Sequence, residues 1–215
     1  MNIQSYDDFI EHYYVSHETF KKFLIYHKLL IEWQKKINLV SNSSVKNSLC
    51  RHFLDSAQLY KLLRKSKGAV LDFGSGAGFP GLVLAIMGIK NVHLVESKKK
   101  KCMFMEKVLM ETGTTSEIHN KRIELLPFIK PDFIISRAMA STKKLIEISY
   151  NYCNKQNYLR QEKTIMNKLP NLLFLKGKNF QLELDDLSKA YTINFDLINS
   201  ISDKQGKILF FKKKY

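Results

Sequence analysis

Two hydrophobic periods divide the chain. Up to residue 67 the apolar positions recur three and four apart: Phe20, Phe23, Leu24, His27, Leu30 and Ile31 mark one face of an amphipathic helix. The serine-rich residues 41–44 predict a loop, and a second helix over about residues 45–63 carries Arg51, His52 and Asp55. From Ala69 the period changes. Short apolar runs at residues 69–73, 92–95 and 133–135 alternate with helical stretches, the pattern of a parallel sheet with crossover helices. After another run at 172–175, residues 191–195 and 208–211 predict paired strands that end the sheet. Residues 150–171, rich in Asn, Gln, Lys and Tyr, read as a helix end and a mobile loop. The expected organisation is α/β: a helical extension at residues 1–67 packed on a core at 68–215, one domain overall, with no internal repeat.

Residues 69–89 contain a single charge, Asp72, and resemble a membrane span on hydropathy alone. Gly74, Gly76, Gly78, Pro80 and Gly81 interrupt the stretch, which therefore predicts a buried strand, a tight turn and a buried helix. No membrane association is expected. A chain of 215 residues that is 45% hydrophobic is long enough to bury a core without disulfides or metal. Its net charge of +15 favours encounter with polyanions such as RNA. Yet 30 of its 35 basic residues are Lys, which drift in base composition also produces. Cys50, Cys102 and Cys153 lie far apart with no Cys-x-x-Cys pair and no His nearby at ligand spacing, so neither a disulfide nor a metal site is expected. Asp7, Asp8 and Glu11 stand where a secretion signal needs basic and apolar residues, which predicts a cytoplasmic protein.

The chemistry concentrates in Val70-Leu71-Asp72-Phe73-Gly74-Ser75-Gly76-Ala77-Gly78-Phe79-Pro80-Gly81, a strand entering a glycine-rich turn that opens a helix. Glycines there let the backbone take positive φ and approach a ligand, and the helix beyond presents unpaired N–H groups. Glu96, at the end of the next apolar run, is placed to accept hydrogen bonds from ribose hydroxyls. Loop and acid together describe an adenosine site. Gly76 to Gly81 also satisfies G-x-G-x-x-G, so an NAD-dependent oxidoreductase stays open. S-adenosylmethionine is favoured by Asp72, which attracts an ammonium but repels a pyrophosphate, and by the lack of any Tyr-x-x-x-Lys pair. Asp72 is equally consistent with a structural acid holding the turn.

Further motifs follow in order: Trp33 with Asn38-Leu39, Arg51-His52-Phe53-Leu54-Asp55-Ser56, Glu96-Ser97 with Lys100-Lys101, Arg122-Ile123-Glu124, Ile135-Ser136-Arg137-Ala138, and Lys176-Gly177. Together with the glycine turn, and over about residues 30 to 177, the chain resembles the ribosomal RNA small subunit methyltransferase G family. The resemblance implies a Rossmann-like class I S-adenosylmethionine-dependent methyltransferase. Its fold would be a mostly parallel seven-stranded sheet with an N-terminal helical extension. It further implies methyl transfer to N7 of a guanine in 16S rRNA, on RNA or the small ribosomal subunit, by a metal-free monomer. Gly74, Phe79, Ile123, Glu124 and Arg137 map onto the family's cofactor contacts, beside the Asp72, Gly76 and Glu96 already reasoned for. A longer stretch at 151–171, and Glu96 where the family more often has Asp, are departures.

Arg137 stands at the C-terminal edge of the sheet, where ligands of open α/β folds collect. No Asn-Pro-Pro-Tyr tetrad of adenine-N6 enzymes stands there, and no Cys sits where a cytosine-C5 nucleophile would. Guanine N7 attacks carbon with a ring lone pair and loses no proton, so catalysis would rest on orientation, an effect of roughly 7 to 11 kcal/mol at most. Arg137 is therefore expected to position, by gripping a cofactor carboxylate or the guanine O6 and N7 edge; an ion pair with Asp132 or a Glu is the structural alternative. Arg51, His52, Asp55 and Lys100 are candidate substrate contacts. His52 and Asp55 share a helix face and either line an RNA cleft or lock the extension onto the sheet. With an ordinary pKa near 6.5, His52 is expected to titrate between about pH 6 and 8. Lys98 to Lys101 and the terminal Lys212, Lys213 and Lys214 are phosphate contacts or solvated charges. A noncatalytic RNA-binding protein that kept the fold is the remaining alternative.

Overall fold

The computed structural model describes Ile3, residues 5–154 and residues 169–213. Helix α1 (Tyr6–Ile10) starts at Ser5, whose side chain and that of Asp8 close a reciprocal capping box. Helix α2 (His17–Gln34), capped by Ser16, buries Phe20, Phe23, Tyr26 and Leu30. The stripe differs slightly from the expected one, since Leu24 is exposed and Tyr26 takes the inward position. Residues 42–45, assigned mostly to a loop by sequence, form the short α3 (Asn42–Val45). The single helix expected over 45–63 is broken into a π-helix (Leu49–Leu54), α4 (Asp55–Ala57) and α5 (Tyr60–Leu63). Burial gives the reason. Leu49, Cys50, His52, Phe53 and Leu54 are all buried, more than one face of a straight α-helix can turn inward, and a π turn is the usual local solution.

The sheet has seven strands among the described residues, in the order β3-β2-β1-β4-β5-β7-β6. β1 (Ala69–Phe73) pairs in parallel with β2 (Val92–Val95) and β4 (Pro131–Arg137). β3 (Glu117–His119) and β5 (Asn171–Lys176) extend the parallel ladder on either side. β7 (Lys207–Phe211) runs antiparallel between β5 and β6 (Asp196–Asn199). The central strands read as continuous apolar runs because helices cover both faces. Helix α6 (Gly81–Ile86), α7 (Lys99–Thr112) and α2 share one apolar cluster, while α8 (Thr142–Cys153) and α9 (Phe180–Ala190) share the other.

Two strands depart from expectation. β3 has no apolar run to announce it, being three residues at a polar edge. β6 lies at Asp196–Asn199 rather than 191–195, because Tyr191, Ile193 and Phe195 pack against the second core cluster instead of entering the ladder. The stretch read as a mobile loop falls mainly on residues 155–168, outside the described residues. Among the described residues no helix is long and apolar enough to cross a membrane.

The N-terminal helices and the sheet share one core: Phe9, Phe23, Tyr26, Phe53 and Leu63 belong to the same buried cluster as Val70, Leu94 and Ile135. Tyr26 is the joint. Its ring stacks on Phe79 at 5.1 Å and meets Phe53 edge-on at 4.9 Å, and its hydroxyl donates to the Ala77 carbonyl inside the glycine turn. Tyr26→Phe keeps the ring and leaves that buried carbonyl without its donor. Urea unfolding is expected to show a loss of about 1 to 3 kcal/mol, and a loss below about 0.5 kcal/mol would show that the bond is dispensable.

Candidate active site

The turn after β1 places Gly74, Gly76 and Gly78 at φ of 70°, 60° and 94°, a path that L side chains rarely follow. Its glycines do different work. A Cβ on Gly81 would sit 2.6 Å from Leu94 Cδ2 and 2.7 Å from Asp72 Oδ2, so Gly81 is needed for packing. A Cβ on Gly76 would meet only ordinary contacts at 3.8 Å, so this glycine leaves space on the open side of the turn. Glu96 buttresses it from the tip of β2. One carboxylate oxygen accepts from Gly76 N at 3.0 Å and the other from Lys98 N at 2.8 Å.

Asp72 makes no direct approach to the cleft, and its Oδ1 has no hydrogen-bond partner among the described residues. It is fully buried under the turn, does not line the cleft above it, and accepts from Gly81 N at 2.9 Å, which ties the end of the turn to β1. The structural role left open by the sequence is the one its geometry displays. Desolvation pushes its carboxyl up to about 7, against the Gly81 hydrogen bond that favours the anion.

A cleft of about 710 Å³ opens above the turn at the C-terminal ends of β1, β2 and β4. Gly74, Gly76, Phe79, Glu96, Ile123, Glu124, Arg137, Arg51 and His52 all line it. Asp55 lines an adjoining hollow of about 450 Å³ together with Arg51 and Arg137. Lys100 lines neither and points away on α7, while its neighbour Lys101 enters the cleft wall. Lys98, one of the candidate phosphate contacts, also lines the cleft, together with Lys121, Arg122 and Met139, which were not singled out from the sequence as binding residues. Of these three only Arg122 carried a signal, inside a resemblance motif. Phe79 does not begin the helix, since α6 starts at Gly81; it is a buried ring between Tyr26 and His52, 5.0 Å from the imidazole.

The π-helix and α4 bring His52 and Asp55 to Arg137, at the end of β4. Arg137 donates to His52 Nδ1 and makes an ion pair with Asp55 at 3.5 Å, over the ring of Phe79. The partner is Asp55, not Asp132, which instead accepts from Ser66 at 2.6 Å. Burial lowers the Arg137 pKa and Asp55 partly restores it. Nη1 is the atom that faces Asp55, at ion-pair distance and without a hydrogen bond of its own among the described residues. Below this end of β4, Lys176 Nζ bridges the Ala140 carbonyl and Glu183 at 2.7 Å each, so the Lys176-Gly177 motif holds the loop that follows Arg137.

His52 departs from its expected behaviour. Desolvation, then the charges of Arg137 and Arg51, pull it down to about 3, and its two ring nitrogens are engaged by Arg137 and by Ser44 Oγ at 2.9 Å. It is neutral throughout pH 6 to 8. The contacts of His52 and Asp55 lock the N-terminal segment to the sheet at the cleft wall.

Six parallel strands with an antiparallel seventh inserted next to the edge, and a glycine turn with an acid at the tip of the next strand, define the Rossmann-like methyltransferase class. The same order without the inserted strand describes dinucleotide-binding folds, so β7 separates the two readings. The chain belongs to the rRNA small subunit methyltransferase G family, whose profile matches residues 19–209. It is 36% identical over 199 residues to the ribosomal RNA small subunit methyltransferase G of Paramagnetospirillum magneticum, covering 93% of this chain and 91% of that one. It is 38% identical over 209 residues to that of Orientia tsutsugamushi strain Ikeda, covering 97% and 98%. In fold it is similar to magnesium protoporphyrin IX methyltransferase from Synechocystis PCC 6803, solved with bound S-adenosylmethionine. There the TM-score is 0.60 at 13% identity, over 94% of this chain and 99% of that one. It is also similar to an rRNA methylase from Streptococcus thermophilus, with a TM-score of 0.50 at 14% identity over 74% and 97%.

The two perturbed groups give stability opposite pH slopes. The unfolded chain protonates His52 near pH 6.5 and the folded chain near 3, so its contribution is complete above pH 6.5 and declines as pH falls. Asp72, raised from 3.8 to about 7, contributes fully below 3.8 and loses that contribution as pH rises. His52→Asn removes the first slope. The stability gap between wild type and variant is expected to widen by up to about 1.4 kcal/mol per pH unit from about pH 4.5 to 6.5. Urea melts along this range check it, and a constant gap would show that His52 titrates normally.

Proposed function

We propose that the chain transfers the methyl group of S-adenosylmethionine to N7 of a guanine in 16S rRNA, in the cytoplasm, with the 710 Å³ cleft as the site of both ligands. S-adenosylmethionine supplies a methyl carried on a sulfonium, already electrophilic. The observation that carries the reading is the chemistry of the cleft wall. Glu96 and the open backbone at Gly76 suit a ribose, with Ile123 and Glu124 beside them for the adenine. Arg137 lines the cleft with its guanidinium, a group suited to a carboxylate or the guanine edge. The wall also carries Arg51, Lys98, Lys101, Lys121 and Arg122, a basic surround for phosphates.

N7 is favoured over a group that must lose a proton because, among the described residues, the groups that flank Arg137 at the cleft are poor bases. His52 is too weak a base at about 3 and both its nitrogens are occupied, while Asp55 is paired with Arg137 and accepts from Gln58 and Ser202. The chain's own contribution is then orientation. Arg137, wedged between Asp55, His52 and Phe79, holds a fixed geometry toward the cleft.

Gly76→Val directs a side chain into the proposed cofactor space. It is expected to abolish S-adenosylhomocysteine binding in titration calorimetry and to cost only about 1 to 3 kcal/mol of stability through the positive φ. Unchanged affinity would place the cofactor elsewhere.

The reaction is tested with undermethylated small ribosomal subunits, labelled S-adenosylmethionine and identification of the modified nucleoside. The expected product is 7-methylguanosine. The single-turnover rate at saturating subunit is expected to stay flat between about pH 6 and 8, since no proton is removed in the transfer. Asp72, which titrates near pH 7, is the group to control for, so Asp72→Asn accompanies the profile. Label on an exocyclic amine or a ribose, or a rising limb that Asp72→Asn retains, would exclude N7. No incorporation at all would leave a noncatalytic RNA-binding protein.

A further inference from the structure

At the free edge of the sheet, pairing of β2 with β3 sets His93 opposite Glu117, and the alternation along β3 brings His119 to the same face. This face is opposite the one that Val92 and Leu94 give to the first core cluster. Three ligand atoms converge there. His93 Nδ1 lies 3.1 Å from His119 Nε2 and 3.3 Å from Glu117 Oε2, and His119 Nε2 lies 3.8 Å from that oxygen. A tetrahedral zinc with bonds of about 2.0 to 2.1 Å separates its ligands by about 3.3 to 3.4 Å. The observed edges of 3.1, 3.3 and 3.8 Å bracket that value, so adjustments of a few tenths of an ångström close the triangle on an ion.

The surroundings match the donors. His93 Nε2 donates to Asn91 Oδ1 at 2.9 Å, which fixes the tautomer that leaves the Nδ1 lone pair free toward the other two groups. His93 is buried, His119 is partly buried and Glu117 is exposed, so the triangle has a dry wall and an open side for entry and for a fourth ligand from water. Without a cation the two imidazoles are left to share a single hydrogen bond beside a carboxylate.

We propose that His93, Glu117 and His119 bind a divalent transition cation of the zinc type, three-coordinated by protein and completed by water. No linear motif announces the site, because Glu117-x-His119 and His93 become neighbours only through the strand pairing. The cation would staple a three-residue edge strand to β2. That strand matters to the cleft, since the His119 carbonyl accepts from Glu96 N at 3.1 Å and Asn120 donates to the Glu96 carbonyl at 3.0 Å. The role is structural, positioning Glu96, and the site takes no part in methyl transfer.

The test uses full-length protein without a histidine tag, stripped by chelator, with Zn²⁺ and Co²⁺ as probes and Mg²⁺ as control. One equivalent of Zn²⁺ is expected to bind. At a hundredfold excess over the dissociation constant the melting temperature should rise by about 5 to 10 °C, with no rise from Mg²⁺. Bound Co²⁺ should show the strong visible absorption of a four-coordinate ion without a sulfur charge-transfer band, which excludes the cysteines. Glu117→Gln and His119→Asn, at exposed and partly exposed positions, are expected to keep the metal-free melting temperature and circular dichroism and to lose both metal effects. Absence of binding to the wild type, or binding that survives in both variants, overturns the proposal.

Discussion

The backbone of the glycine turn sets the terms for everything around it. Three alternating residues at positive φ give a shape that does not persist unless its polar groups are held from several sides. Asp72 holds the end of the turn at Gly81 from below, Glu96 holds Gly76 from the neighbouring strand, and Tyr26 holds the Ala77 carbonyl from the N-terminal segment. Each anchor comes from a different element, so the turn forms only when sheet and extension are both in place. The cleft above it is a by-product of that agreement.

Arg137 places a second demand on the same region. A guanidinium mostly removed from water is costly unless paired, and removing one partner leaves the charge exposed to the full desolvation penalty. The pair is supplied by Asp55, and a neutral imidazole at His52 completes the shell where a second cation would be intolerable. The low pKa of His52 follows from this arrangement. The π turn is the local deformation that brings His52 inward together with Phe53 and Leu54. The N-terminal segment is therefore part of the cleft wall, although it precedes the Rossmann-like sheet in the chain.

Burial also separates residues that composition alone treats as alike. Among Lys98 to Lys101, the phase of α7 turns Lys101 to the cleft and Lys100 to solvent. At the C-terminus Lys212 is paired with Asp196 at 2.7 Å, which makes the described part of that basic tail partly self-neutralised. The positive charge at the cleft thus comes from a few residues, Arg51, Lys98, Lys101, Lys121 and Arg122.

The sequence by itself determined the periodicity, and with it β1, β2, the first long helix, the glycine turn and the acid at Glu96, because these depend on local alternation and on residues without a Cβ. It also carried the motifs that mark the family. Tertiary structure alone decided the rest. Edge strands β3 and β6 are short and polar, so no local pattern distinguishes them from loops. Whether Asp72 reaches a ligand or only the turn depends on how the turn folds back over β1, and Asp72 lies buried beneath it, accepting from Gly81 N. The partner of Arg137, the neutral state of His52 and the meeting of His93 with Glu117 and His119 all arise between segments distant in the chain. Side-chain pairing across strands and layers is set by packing geometry, and a linear pattern of residues does not encode it in any single stretch.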